Sequence, residues 1–173
     1  MLRKTTAALF AAALGFMPQI AGAQDQAQGA TTLKATNGAW EVRCSTAKPD
    51  ACIMTQVGNR EDGKPVLRVA LRKTDGAKGP NGAPIAAVIQ IDAPVGVLLP
   101  AGIEMKIDGR EIGRAAFQVC DARACIASEP VPTDFVNQMK NGVKAVLSIM
   151  AVNGEKADVP ISLSGFTKSF DSL

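Results

Sequence analysis

Short segments of alternating apolar and polar residues, separated by turn signals, run through the sequence after residue 38. In "GAWEVRC", three apolar residues alternate with Glu41 and Arg43, and "PVLRVALRK" repeats the pattern. This period of two residues is typical of a strand with one buried face. The "DG" at 108–109 fits a type I′ hairpin turn, and the "NG" at 153–154 indicates a second hairpin. We therefore predict an all-β fold over residues 38–173, an antiparallel β-sandwich or barrel-like sheet.

One segment has a different period. In "VPTDFVNQMKNG", Phe135, Val136 and Met139 recur at helical spacing, Thr133 is a suitable cap, and Gly142 is a suitable stop. The sequence predicts one short helix near residues 132–141 and no other substantial helix.

The first residues have the order of an export signal. Arg3 and Lys4 precede an apolar run too short to span a bilayer, and "AGA" supplies small residues for cleavage after Ala23. The alternative is a core helix, which does not explain this order of features. We predict a signal peptide over 1–23, a flexible N-terminal arm over the Gln- and Gly-containing residues 24–37, and a single domain beyond it.

Export places the mature chain in the periplasm or outside the cell. No later stretch reaches the roughly 18 apolar residues of a membrane helix, so we expect no transmembrane span. Loss of the two leader cations lowers the formal net charge from +3 to +1, which removes a strong case for nucleic-acid binding. The scarcity of aromatic residues, 4% of the chain, argues against base stacking.

The absence of histidine limits the possible chemistry. Ser-His and Cys-His pairs are impossible, as is a zinc site with an imidazole ligand. Asp108, Glu111 and Asp121 lack further ligands at a calcium-loop spacing, and the predicted turns explain an aspartate at 108 and at 121. We predict no catalytic residue, no cofactor and no metal site.

An exported chain with four cysteines is expected to be oxidised. Sequence alone permits three pairings. Local geometry favours Cys44–Cys52 and Cys120–Cys125, because each pair flanks a turn between two strand-like segments and a hairpin tip brings its ends within disulfide range. A four-cysteine metal site or a redox centre is the alternative, although the spacing fits neither pattern well.

Five basic residues lie close together in sequence, and they form our candidate binding surface: Lys64, Arg68, Arg72, Lys73 and Lys78. Such a cluster would suit an anionic glycan or lipid. The alternative is a solvated strand face beside a loop, partly balanced by nearby acidic residues.

The segments "NGAWEVRC", "PVGVLLPAGIEMKIDG", "FQVCDARAC" and "ISLSGF" form an ordered set. In this set, with its two cysteine pairs and Gly-Phe ending, the chain resembles the invasion-associated locus B family over residues 37–170. The resemblance implies an exported alphaproteobacterial protein, in a family named for members associated with entry into erythrocytes. It supplies no established active site to transfer to this chain.

These observations favour a non-enzymatic, disulfide-bonded envelope protein, an interaction module associated with host-cell invasion or envelope function. Its partner would be an unidentified protein or a component of the envelope or host surface. The alternatives are a periplasmic redox or other envelope enzyme that uses the cysteines, and a carrier of a small apolar ligand.

Overall fold

This computed structural model describes residues 30–173, whose strands form two antiparallel sheets. The predicted signal peptide and residues 24–29 of the predicted arm lie outside the described residues. The larger sheet contains β1 (Thr31–Asn37), β2 (Trp40–Ser45), β3 (Cys52–Asn59), β4 (Pro65–Lys73), β5 (Ile85–Ala93), β8 (Phe117–Cys120) and β9 (Cys125–Pro132). The smaller contains β6 (Ile103–Ile107), β7 (Arg110–Ala115), β10 (Lys144–Met150) and β11 (Lys156–Ser162). The helices are α1 (Thr133–Asn141), α2 (Phe166–Asp171) and a 3-10 turn (Leu99–Ala101).

The strand order shows an open sandwich. The seven-stranded sheet runs β1-β2-β3-β4-β5-β9-β8, and the four-stranded sheet runs β11-β10-β6-β7. The chain passes between the sheets after β5, β7 and β9, so the two layers are interleaved along the sequence. The predicted all-β sandwich is confirmed, and neither sheet of the described chain closes into a barrel.

The core lies between the sheets, on the apolar side of each alternating strand. In β2, β4 and β5 the burial pattern has the period of two residues that the sequence predicts. The largest fully buried side chains of the core include Trp40, Phe166, Met54, Leu71, Ile91, Ile103 and Ile161. Each sheet buries only one of its faces. The outer face of each sheet therefore remains available to solvent or a partner.

Residues 31–37 form the edge strand β1, where the sequence predicts a flexible arm. β1 pairs along the whole of β2, from Thr31 opposite Ser45 to Asn37 opposite Trp40. Most of its side chains are exposed, so the strand depends on backbone pairing and lacks an apolar alternation in the sequence. A register shift falls between Leu33 and Ala35, a device that blunts sheet edges.

The predicted helix is confirmed as α1, and its buried residues are Phe135, Val136 and Met139. Thr133 is the first helical residue, and no side chain caps the helix. Gly142 ends α1 without a positive φ. Instead, a Cβ there would lie 2.6 Å from Ile107 Cγ2, so glycine is required by close packing against β6.

A second helix, α2, follows Gly165, and the sequence did not predict it. Gly165 has φ +84°, and a Cβ at this position would lie 2.1 Å from the Asn37 carbonyl oxygen. α2 buries Phe166 and Phe170, whose rings stack with centroids 5.8 Å apart. Six residues are too few to give a clear helical period, which explains the omission.

The hairpin turns differ from each other. At 108–109 both residues have positive φ, 48° and 83°, as a type I′ turn requires. At 153–154 only Gly154 has positive φ, and the turn closes with a hydrogen bond from the Gly154 N–H to the Ala151 carbonyl. The "NG" pair there still marks a hairpin, but one of a different turn type.

Disulfides join Cys44 to Cys52 and Cys120 to Cys125, the pairs that local geometry favours. Each joins directly opposite residues of neighbouring strands, with Cα atoms 4.0 Å apart. Backbone hydrogen bonds next to each pair identify both as non-hydrogen-bonded pairs, the closer of the two antiparallel arrangements. The separation is therefore shorter than the value typical of disulfides in general.

A buried glutamine connects the two sheets. Gln56 of β3 is 7% exposed, and its amide donates to the Ser162 carbonyl at 2.8 Å and accepts from the Ser162 N–H at 2.9 Å. Trp40 Nε1 donates to the same carbonyl at 2.9 Å. Thus β2 and β3 of one sheet share a polar connection to β11 of the other.

The helices give no sign of a membrane crossing. Within residues 30–173, neither helix combines the length and apolar character that a crossing of the bilayer demands.

Candidate interaction surface on the seven-stranded sheet

The outer face of the larger sheet contains a groove of about 640 Å³ where β1 to β4 lie side by side. The groove contains one charged pair, a second arginine and the outward side chains of β3. Its lining includes Glu41 and Arg43 of β2, Ile53 and Val57 of β3, and Arg68 of β4. Neither helix of the described chain covers this face, because α1 and α2 bury their apolar residues in the core between the sheets.

Strand alternation creates the groove. In β3, Ile53, Thr55 and Val57 point away from the core because Cys52, Met54 and Gln56 point into it. Val57 is 51% exposed, although its type is usually buried. β3 therefore presents branched side chains on its outward face, and this set forms the floor of the groove.

Carboxylates hold both arginines in place. Arg43 Nε donates to Glu41 Oε2 at 2.8 Å. Arg68 donates to Asp92 through both Nε and a terminal nitrogen. Each guanidinium has five N–H groups, so donors remain on both arginines for a further acceptor. Exposed pairs of this kind add little stability, but they orient a donor that would otherwise be mobile.

The five residues of the predicted basic surface are only partly brought together. Arg68 and Arg72 are exposed on the outward side of β4, as the alternation predicts. Lys64 lies in the β3–β4 turn beside Asp62, at 3.4 Å. Lys73 is on the opposite side of the strand, and Lys78 is in the β4–β5 loop, where it pairs with Pro84.

Lys73 contacts the end of α2. Its Nζ lies 5.1 Å from the centre of the Phe170 ring and donates to the carbonyl groups of Asp171 and Leu173 at 3.4 and 3.3 Å. A cation at the carboxyl end of a helix interacts favourably with the helix dipole. Lys73 therefore stabilises α2 and does not belong to the outer face.

The charge of the outer face is also more balanced than the sequence suggests. Arg68 is paired with Asp92, and Arg43 with Glu41. Within the described residues, Arg72 has no carboxylate within ion-pair distance, so it contributes an uncompensated positive charge. The face therefore combines oriented, largely neutralised arginines with one free cation.

The aspartates near the second disulfide and the β6–β7 turn have backbone roles. The N–H groups of Lys144 and Val143 lower the pKa of Asp108 by hydrogen bonding to its carboxylate. The N–H groups of Arg123 and Ala124 lower the pKa of Asp121 in the same way. The Asp121 carboxylate therefore stabilises its own turn, as the sequence predicts for an aspartate at this position. Asp108 has the positive φ of the predicted turn, but its carboxylate binds the chain that follows α1.

Three observations on the described residues bear on the two alternative functions. Both cysteine pairs are disulfide-bonded, and residues 30–173 contain no free thiol. Over the same residues, no group of three or more acidic or cysteine side chains is arranged to hold a metal ion. An apolar cavity between the sheets measures about 10 Å³, roughly the space of one water molecule.

The groove contains residues that sequence reasoning missed. Glu41 and Arg43 were visible only as the polar half of a strand pattern, and their separation by two residues places them on one face. Ile53 and Val57 did leave a signal, because "CIMTQV" has apolar residues at inward and outward positions alike. An apolar residue at an outward position of a half-buried strand is the feature that indicates such a floor.

Comparison with known proteins adds two findings. A family model described as Invasion associated locus B (IalB) protein matches residues 40–173. Among solved structures, the chain is similar to the crystal structure of invasion associated protein b from Bartonella henselae, with 16% sequence identity, a TM-score of 0.64, and coverage of 82% of this chain and 95% of that chain. At this identity the likeness shows a shared fold. The search of curated proteins gives no match. Because the family model covers more than half of the sequence, this chain belongs to the invasion associated locus B family.

Proposed function

We propose that this protein is an exported, non-enzymatic interaction module that contacts an envelope or host-surface component through the outer face of its seven-stranded sheet. The observation that carries the proposal is the groove, where oriented arginines border an apolar floor on a face that no described helix covers. Arginine is enriched at protein interfaces, which combine an apolar centre with a polar rim.

Three further observations support this class of function. The family is named for invasion. Two disulfides suit an oxidising compartment outside the cytosol. The sequence has no histidine, so the commonest acid-base and nucleophile-activating group is missing.

The chemistry of the groove favours a protein partner. Arg43 and Arg68 have spare N–H donors in fixed orientations, which suit carboxylate or carbonyl oxygens. Val57, directly opposite Arg68 in the neighbouring strand, offers an exposed apolar contact. A uniformly anionic glycan or lipid would be repelled in part by Glu41 and Asp92, which lie against the same arginines. We therefore propose an exposed protein segment with acidic and apolar side chains as the partner.

The test is a pair of substitutions on the outer face. We expect Val57→Asp combined with Arg72→Glu to weaken binding to intact erythrocytes, or to outer-membrane vesicles of the source bacterium, by roughly tenfold or more. Both residues are exposed, so the fold should be retained. Binding is measured by flow cytometry or pelleting with labelled protein.

The matched control carries the same kinds of chemical change elsewhere, Val152→Asp with Lys168→Glu. Val152 is 71% exposed in the β10–β11 turn, and Lys168 is exposed on α2. This control should bind like the parent. Equal binding by the outer-face variant would refute the surface assignment. Protease-treated cells distinguish a protein partner from a glycan or lipid, since only the protein would be removed.

We also propose cleavage of residues 1–23 during export, for which the order of charges, apolar run and "AGA" is the support. Intact-mass analysis of protein recovered from the periplasm or medium should give the mass of residues 24–173 less four hydrogens. A mass that includes the first 23 residues, or alkylation without prior reduction, would contradict export with two disulfides.

A further inference from the structure

A polar cleft of about 300 Å³ lies between α1 and the β6–β7 turn, and it shares no lining residue with the outer-face groove. Asn137, Gln138 and Asn141 line it from the helix, and Arg110 lines it from the first residue of β7. All four side chains belong to exposed residues. Ile107, which is buried, provides an apolar floor.

The walls of this cleft are fixed relative to each other. The Asp108 carboxylate accepts hydrogen bonds from the backbone N–H groups of Val143 and Lys144, at 2.9 to 3.2 Å, so the turn is tied to the chain that leaves α1. Gly142 allows the end of α1 to pack directly on Ile107. A ligand would therefore meet a preformed site and need not order it.

The available groups of the cleft are side-chain amides and one guanidinium. Among the described residues, the side-chain hydrogen bonds at this cleft are those accepted by Asp108, which leaves the three amides and Arg110 free for a ligand. Each amide provides a donor and an acceptor side by side. Asn137 and Asn141 are one helical turn apart, about 5–6 Å between their Cβ atoms, which matches opposite sides of a six-membered sugar ring.

The charges favour a neutral ligand. Arg110 lines the same side of the cleft as the Asp108 carboxylate, whose pKa is lowered by the backbone N–H groups that bind it. A phosphate or sulfate that approached Arg110 would also approach this carboxylate. Hydroxyl groups both donate and accept, so a neutral polyhydroxyl ligand satisfies amides and guanidinium without that repulsion.

We propose that this cleft binds one neutral sugar residue of a glycan, with the amides of Asn137, Gln138 and Asn141 and the Arg110 guanidinium bonded to its hydroxyl or N-acetyl groups. The proposal is independent of the outer-face groove. The same chemistry occurs in peptidoglycan sugars of the periplasm and in neutral sugars of host-cell surfaces, and the probes below separate these two sources.

The experiment is an NMR titration of the isotope-labelled mature protein, with both disulfides intact. Chitotriose represents the peptidoglycan-type sugar, and galactose and mannose represent host-surface sugars. We expect saturable shifts of the amide signals of residues 107–110 and 137–142 with at least one probe. Asn137→Ala with Asn141→Ala should weaken that binding roughly tenfold or more.

This double variant should fold, because alanine is a better helix former than asparagine at exposed positions. A melting temperature equal to or above that of the parent checks this directly. Lys168→Ala, an exposed helical substitution outside the cleft, should leave sugar binding unchanged. The proposal is overturned if none of the three sugars shifts the cleft signals, or if the double variant binds them as the parent does.

Discussion

Trp40→Ala is expected to destabilise the domain by about 3–5 kcal/mol, the range for removal of a large aromatic side chain from a core. Trp40 is fully buried, and its ring meets that of Phe166 edge-on with centroids 5.3 Å apart. Its Nε1 also donates to the Ser162 carbonyl of the opposite sheet. The substitution therefore removes core volume, an aromatic pair and one connection between the sheets at once.

Urea denaturation monitored by far-UV circular dichroism measures this change in the free energy of unfolding. Trp40→Phe separates the contributions, since it keeps an aromatic ring against Phe166 but loses the hydrogen bond to Ser162. We expect it to be clearly less damaging than Trp40→Ala. A loss below about 1 kcal/mol for Trp40→Ala would show that this part of the core tolerates a cavity, against the packing described here.

Gln56→Leu is expected to lower the free energy of unfolding by roughly 1–3 kcal/mol, because backbone groups of β11 lose buried hydrogen bonds. The Ser162 N–H loses its acceptor, and the Ser162 carbonyl retains only the Trp40 bond. Leucine has a similar size, so the effect reports mainly on hydrogen bonding and little on packing. The measurement is the same denaturation experiment, with the slope of the free energy against urea checked for two-state behaviour.

The chain contains its own control for this prediction. Gln118 on the edge strand β8 bonds to both the N–H and the carbonyl of Ser128, at 2.6 and 2.7 Å, the same two-bond arrangement as Gln56 with Ser162. Gln118 is exposed, so water replaces its bonds when it is lost. Gln118→Leu should therefore change stability little. Equal losses for the two variants would show that burial of the Gln56 pair is not the cause.

Much of the fold could be predicted because strand alternation is local. The pattern around β2, β4 and β5 depends only on which side chains face one core, and "VPTDFVNQMKNG" contains a full helical stripe. β1 gave no such signal, because its side chains are mostly exposed and its partner strand supplies the order. α2 depends on Gly165 and on the contact of Phe166 with Trp40, a residue distant in the sequence.

The candidate sites were harder to predict because they arise from pairing across the sheet. Arg68 meets Asp92 because β4 and β5 are in register at those two residues, which the sequence does not reveal. The predicted basic cluster divides for a related reason, since alternation places Arg72 outward and Lys73 inward. Gln56 reads as an ordinary polar residue in a strand, and its partner lies 106 positions away.

The two disulfides also have a consequence for folding in an oxidising compartment. Each closes a hairpin, so its thiols meet through a short loop, which closes with little entropic cost and before the sheets need to pack. β2 and β8, by contrast, lie five strand positions apart in the seven-stranded sheet, roughly 24 Å at the usual spacing. Incorrect pairing between Cys44 and Cys120 is therefore disfavoured in the unfolded chain by loop length and in the folded chain by distance. The two correct disulfides can therefore form in either order. Neither has to wait for the other, or for the rearrangement of an incorrect disulfide.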